Sequence, residues 1–347
     1  MPRLPAEWEP QSAVMLTWPH ADTDWADQLP AIEQLYTQLA AQIARFERVL
    51  IVARDAAHRS AIADQLAAAA VPRDRLVLAL APSNDTWSRD HGPITVLDEG
   101  GARLVDFRFN GWGGKFHADL DDAITRTLHQ ARAFGDTPLA SSRLVLEGGA
   151  IETDGDGTLL AVERTLVDER RNPGWGRAQI EAEIAPRLGI RRFLWLSHGG
   201  LSGDDTDGHI DTLVRFCAPD ALCYVRCADP SDPDAPELAA MAEELRGLRT
   251  ASGRPFRLMP LPHPDPIHDA DGRRLPATYA NFLVINRALL LPVYGDPADR
   301  LAIDCLGGLF PGREVVPIDA RALIRQGGSL HCISMQLPAA LTLAHPS

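Results

Sequence analysis

The chain has 347 residues, 45% of them hydrophobic and 23% charged, and a formal net charge of −13. That length and balance suit a folded protein with a large core and argue against disorder. The acidity disfavours nucleic acid and anionic membranes as partners, while suiting solubility or the drawing of small cations into clefts.

In chain order, Ile32, Leu35, Tyr36, Leu39, Ile43 and Phe46 recur at helical spacing, and 49–53 then reads as a buried strand. Asp55 can cap a second helix running to about residue 70, followed by a strand over 76–81. Ile124, Leu128 and Ala131 mark another amphipathic helix, as do Leu238, Met241, Leu245 and Leu248. Shorter helices are predicted over 298–309 and 319–324. Strands are predicted over 144–146, 158–162, 193–196, 212–217, 222–226 and 282–292. The stretch 260–276, rich in Pro and Asp, reads as a long irregular loop. The strand, turn, helix, strand rhythm suggests several similar α/β modules, without a clean sequence repeat. No shift in composition marks a boundary, so 1–347 reads as one domain.

Five cysteines, an odd number without paired C-x-x-C blocks, indicate neither a disulfide framework nor a structural zinc. Residues 1–10 are polar and proline-rich, unlike a signal peptide, and the longest apolar run, 282–293, is broken by Asn286 and Arg287. A cytoplasmic protein is expected.

Three segments carry chemistry. Cys332 lies in Gly327-Gly328-Ser329-Leu330-His331-Cys332, where glycines let backbone N–H groups approach a ligand. A thiolate there could attack a cationic, planar carbon, although a small buried thiol is the commoner state of a cysteine. His209 and Asp211, two apart, share a face of an extended backbone. They suit a proton shuttle beside a substrate clamp, but with Asp204, Asp205 and Asp207 they could equally ligate a metal or form an acidic, solvated turn. In Trp87-Ser88-Arg89-Asp90-His91-Gly92-Pro93, read as a loop, Asp90 matches a guanidinium bidentately and Trp87 can stack on it. A buried Trp with a turn-capping Asp is the plain alternative. Glu147 ends an apolar strand, where a carboxylate needs a partner. Asn110-Gly111-Trp112-Gly113-Gly114-Lys115 is glycine-rich without the spacing of a phosphate loop.

Together with Leu4-Pro5-Ala6-Glu7-Trp8-Glu9-Pro10 and Val293-Tyr294-Gly295-Asp296-Pro297, these segments resemble, in order and over nearly the whole chain, the agmatine deiminase family of the guanidino-group-modifying (pentein) superfamily. The resemblance implies a five-bladed α/β propeller of ββαβ modules around a central site. It implies Cys332 as nucleophile, His209 as general acid then base, and Glu147 orienting His209. Asp90 and Asp211 would grip the guanidinium, Trp87 would line the pocket, and Asp205 would hold the distal amine. The reaction implied is agmatine to N-carbamoylputrescine and ammonia through a covalent thiouronium, a step of putrescine and polyamine biosynthesis. No metal or organic cofactor is implied, and a homodimer is left as the assembly to test.

This sequence departs from the family pattern in Asp205, where agmatine-specific relatives often carry Glu, in Ser329-Leu330, and across Arg164-Thr165-Leu166-Val167-Asp168. These touch substrate choice rather than reaction type. A rival keeps the chemistry and takes free or C-terminal peptidyl arginine, which needs a cation for the carboxylate; Arg108 is the obvious one, expected instead to pair with an acid. A rival of another class is a metal-dependent, urea-releasing guanidine hydrolase using His198, Asp204, Asp207, His209 and Asp211. A non-catalytic guanidine-binding protein would have no use for Cys332 and His209 together.

Overall fold

The computed structural model describes residues 2–344. The first strands are β1 (Gln11–Thr17), β2 (Arg48–Ala53), β3 (Leu76–Leu80), β4 (Ile94–Asp98), β5 (Gly101–Arg108) and β6 (Leu139–Val145). Then come β7 (Glu152–Thr153), β8 (Thr158–Val162), β9 (Arg192–Leu196), β10 (Val214–Ala218), β11 (Ala221–Val225) and β12 (Arg257–Leu261). The last are β13 (Leu283–Ile285), β14 (Ala288–Val293), β15 (Glu314–Asp319) and β16 (Ser334–Pro338). The longer helices are α1 (Leu29–Ala44), α2 (Ala56–Ala68), α3 (Asp121–Gln130), α4 (Arg177–Leu188), α5 (Ala235–Gly247) and α6 (Ala298–Leu309).

Among the described residues the strands form five small sheets, in the orders β16-β1-β2-β3, β4-β5-β6, β7-β8-β9, β10-β11-β12 and β13-β14-β15. One arrangement recurs. An antiparallel pair (β4 with β5, β7 with β8, β10 with β11) is followed by a helix and a third strand parallel to the second. In the first sheet the pair is closed by chain ends, β16 running antiparallel to β1 before β1, α1 and parallel β2 complete the module. The modules predicted from rhythm are therefore present. Their sequence similarity is low because only burial, not residue identity, has to repeat.

The chain divides into two compact units. The first runs from Trp8 to Gly148 and adds Ile285–Arg287 and the segment from Cys332 onward. Its core interleaves Met15, Leu50, Val77, Leu104 and Leu337 from the sheets, Ile124 and Leu128 from α3, and Phe134 from the turn after it. Each such buried side chain stabilises by about 1.5–3 kcal/mol. The α1 positions read as one face (Ile32, Leu35, Tyr36, Leu39, Ile43) are buried, and Asp55 accepts the His58 N–H at 2.9 Å to cap α2. The second unit ends at Glu7 on one side and comprises Gly149–Val284 and Ala288–His331 on the other.

Several expectations need correcting. The single strand over 282–292 is two, β13 and β14, because Asn286-Arg287 turns the chain, Arg287 taking φ 61°. The helix over 319–324 is absent: Asp319 ends β15 despite its Pro317, and only a 3₁₀ turn follows at Leu323–Gln326. The irregular stretch begins two residues late, since Pro260 and Leu261 belong to β12. Thr212 lies in a 3₁₀ turn and β10 starts at Val214. Of the cysteines read as core, Cys217 and Cys223 are buried but Cys227 is half-exposed. Helix α4 and strands β1, β4, β5, β7, β12, β15 and β16 have no counterpart among the predicted elements.

Candidate active site

In the first unit Trp87 precedes a single helical turn, Ser88–His91, rather than an open loop, so Asp90 sits on the turn itself. The Ser88 hydroxyl oxygen accepts the Thr17 N–H at 2.8 Å, fastening the turn to the end of β1. Gly92 ends it, where a Cβ would collide with the Ser88 carbonyl. The buried Arg89 reaches Gln336 with its guanidinium, and its backbone N–H donates to the Cys332 carbonyl at 3.1 Å. The Arg89 carbonyl in turn lies against Gly148, leaving no room for a Cβ there. One backbone unit thus ties together the segments bearing Asp90, Cys332 and Glu147, all three side chains buried.

Aromatic rings surround this turn. Trp112 donates its indole N–H to Asp90 Oδ2 at 2.9 Å, and Trp87 donates its own to Asp85 Oδ2 at 3.0 Å. The Trp112 ring meets Trp87 and Phe109 edge-on, at centroid separations of 6.2 and 5.1 Å. Its backbone is left-handed at φ 55°, a costly conformation for a bulky residue. Asn110 holds it there by accepting the Gly113 N–H on its side chain at 2.8 Å, and glycines fill the next two positions. Arg108 pairs with Asp122 at 3.0 Å, as expected of a structural cation.

In the second unit His209 and Asp211 do not share an extended face. His209 closes a tight loop and Asp211 lies in the 3₁₀ turn Ile210–Thr212. The loop is built by its own acids. Asp204 accepts from the Thr206 N–H at 3.1 Å and the Gly208 N–H at 2.8 Å. Asp207 and Gly208 both take positive φ, and the buried Arg171 holds Asp207 Oδ2 at 2.8 Å and the Thr206 carbonyl at 3.0 Å. The Thr206 hydroxyl then accepts the His209 N–H at 3.1 Å. Asp205 is half-buried, and a Cβ at Gly327 would stand 3.0 Å from its Oδ1.

Asp211 is fully buried and bonds His331 Nδ1 through Oδ2 at 2.7 Å. Burial raises the carboxyl's proton affinity, but the His331 bond and the charges of His331, His209 and Arg215 outweigh it and hold the group below the ordinary carboxylate range. His331 is the chain neighbour of Cys332, so Asp211 is bonded to the residue preceding the thiol.

The metal set proposed from sequence is not assembled. Asp204 and Asp207 are committed to loop and arginine contacts, and His198 is exposed beside Glu237, 3.3 Å away. Among the described residues the groups close enough for a metal are Glu7–Glu152–His331 and Asp232–Asp234–His263. Each already contains an arginine, Arg215 in the first and Arg274 in the second. Trp112, His331, Glu7 and Arg215, which the structure places against Asp90 and around Asp211, are not among the candidates predicted from sequence. The signals were present: a Trp inside a glycine run, and an arginine inside an otherwise apolar strand.

Residues 3–338 match the Porphyromonas-type peptidyl-arginine deiminase family. The agmatine deiminase of Stutzerimonas stutzeri is 35% identical over 359 residues, spanning 97% of this chain and 95% of its own. The structure of a provisionally named arginine deiminase from Porphyromonas gingivalis has a TM-score of 0.92 and 46% identity, over 98% of this chain and 99% of that one. A Cys-to-Ser variant of the C. jejuni agmatine deiminase with substrate bound has a TM-score of 0.90 and 34% identity, over 99% and 98%.

Proposed function

The chain belongs to the Porphyromonas-type peptidyl-arginine deiminase family, and from that premise we propose that it hydrolyses agmatine to N-carbamoylputrescine and ammonia. The observation that carries the substrate is the pair of agmatine deiminases, one solved with substrate bound, that match this chain from end to end at 34–35% identity. The five small sheets support the finer reading of a five-bladed propeller in one domain. Five free thiols suit a reducing cytoplasm.

The roles follow from chemistry. Cys332 thiolate attacks the guanidinium carbon, and the C–N bond breaks as His209 protonates departing ammonia. Water, deprotonated by His209, adds to the thiouronium carbon; the thiolate leaves and the ureido product keeps the water oxygen. Asp90 and Asp211 grip the cation, holding it charged and its carbon near sulfur. Glu147 orients His209, Trp87 lines the pocket, and Asp205 takes the distal amine with one methylene less than Glu would offer.

The Porphyromonas gingivalis neighbour at 46% identity favours a second reading, arginine as substrate with unchanged chemistry. One experiment separates the two: purified protein with agmatine or arginine in EDTA, assayed for ammonia, urea and ureido product. Ammonia and N-carbamoylputrescine from agmatine alone are expected; citrulline from arginine would transfer the substrate, and urea would sink the deiminase. Cys332→Ser is expected to fold normally and lose at least about 10⁴-fold in kcat. A folded variant with near-normal turnover would exclude the covalent route.

A further inference from the structure

Behind Asp211, within the second unit, lies a buried ionic chain that the proposed reaction does not use. His331 puts Nδ1 2.7 Å from Asp211 Oδ2 and Nε2 2.8 Å from Glu7 Oε2. Its backbone N–H is also held, by Asn281 Oδ1 at 3.0 Å and the Asn281 carbonyl at 3.2 Å. Glu7 is clamped in turn. Its Oε1 accepts the Val284 N–H at 2.6 Å, and its Oε2 is bound by Arg215. Arg215 also puts Nη2 3.0 Å from His331 Nε2, and it bonds Glu152 and the carbonyls of Ala280, 3.1 Å away, and Phe282, 2.6 Å away, with its guanidinium 4.5 Å from the Phe282 ring centroid.

Three carboxylates, a guanidinium and an imidazole in one dry cluster are expensive, and well-packed apolar side chains would stabilise such a core as well. The outlay is explained if the cluster sets the geometry of a group that must meet a ligand. Glu7, His331 and Arg215 are each fixed from at least two sides, and the chain of bonds ends on Asp211. We propose that His331 is a positioning residue for guanidinium binding: Nδ1 sets the orientation of the Asp211 carboxylate, and Glu7, clamped by Arg215, sets the His331 ring. This rests on the reading of Asp211 as a substrate clamp.

Two substitutions split the two ring nitrogens. His331→Asn can place an amide N–H near Nδ1, keeping the Asp211 bond and dropping Glu7. His331→Gln can reach toward Glu7 and drops Asp211. With agmatine, or with arginine should the wild type prefer it, His331→Asn is expected to keep KM within about threefold, while His331→Gln raises it about tenfold or more with a smaller change in kcat. The acid limb of kcat/KM moves to higher pH in the Gln variant. Of the groups that hold the Asp211 proton affinity down (His331, His209 and Arg215), it has lost the one bonded directly.

The rate of Cys332 alkylation by iodoacetamide without substrate is expected to match wild type. A rate altered in step with kcat/KM would mean the effect runs through the thiol, and would overturn the inference. So would lowered melting temperatures in both variants with KM and the acid limb at wild-type values. Glu7→Gln, which retains the acceptor for Val284, is the second probe should the His331 variants not fold: KM rising about threefold supports the chain of bonds, and an unchanged KM refutes it. Failure of the wild type to release ammonia from either guanidine would remove the functional reading, a result distinct from any of these.

Discussion

Two carboxylates, each bonded by a ring N–H, are treated in opposite ways by the two units. Asp211 faces His331, with Arg215 and His209 nearby, and stays below the ordinary carboxylate range although nothing of it is exposed. Asp85 receives the neutral indole N–H of Trp87, and burial together with the Asp24 charge pushes its pKa up to about 7 despite that bond. An indole N–H is a dipole and answers only part of the cost of burying an anion; a neighbouring full charge answers more of it. Asp90, which accepts the Trp112 indole N–H, is bonded in the same way as Asp85.

The comparison breaks most visibly at Arg215. Arg215→Leu removes the cation between Glu7 and Glu152 and leaves both buried without it, a loss of about 3–5 kcal/mol. Urea unfolding checks this, and a loss under 1 kcal/mol would show that the ionic side is not what holds the second unit together. At Trp112 the effect should fall on binding. Trp112→Phe keeps the aromatic packing on Phe109 and Trp87 but deletes one donor to Asp90, so KM is expected to rise about fivefold, with kcat within about twofold. A large drop in melting temperature with unchanged KM would instead make the indole a core residue.

How far these arrangements could be read from sequence depends on the range of the interaction that makes them. Strand β8 and helix α6 match the prediction at every residue, because local apolar spacing and a proline before the helix suffice. Strand β15 was missed because Pro317 reads as a breaker, yet it pairs in parallel with β14 at Leu291. Asp90, Glu147, Asp211 and Cys332 stood out because acids and thiols beside glycines are conspicuous. Their supports did not. His331 meets Asp211 across 120 residues and Glu7 across 324, and no spacing rule connects such pairs. Nor does sequence reveal that Trp112 turns left-handed to aim its N–H at a residue 22 positions earlier. His209 and Asp211 were judged by the strand period, which a loop shaped by Asp204, Asp207 and Arg171 does not obey.

The smallest effect gives the cleanest test of the contrast itself. An Asp carboxyl titrates near 3.9 in the unfolded chain, whereas Asp85 in the folded protein titrates at about 7. Between those values the folded state holds a proton that the unfolded state has released, so stability falls as pH rises through the window and the penalty is complete above it. Asp85→Asn keeps an oxygen to accept from Trp87 and cannot ionise. It should therefore be no more stable than wild type near pH 4 and more stable above pH 7, by roughly 1 kcal/mol or a melting-temperature gain of about 2–4 °C. Thermal melts at the two pH values decide the matter. A gain that is equal at both would come from something other than ionisation, and a loss at high pH would mean that the indole N–H does hold a buried carboxylate in its charged form, erasing the distinction between the two units.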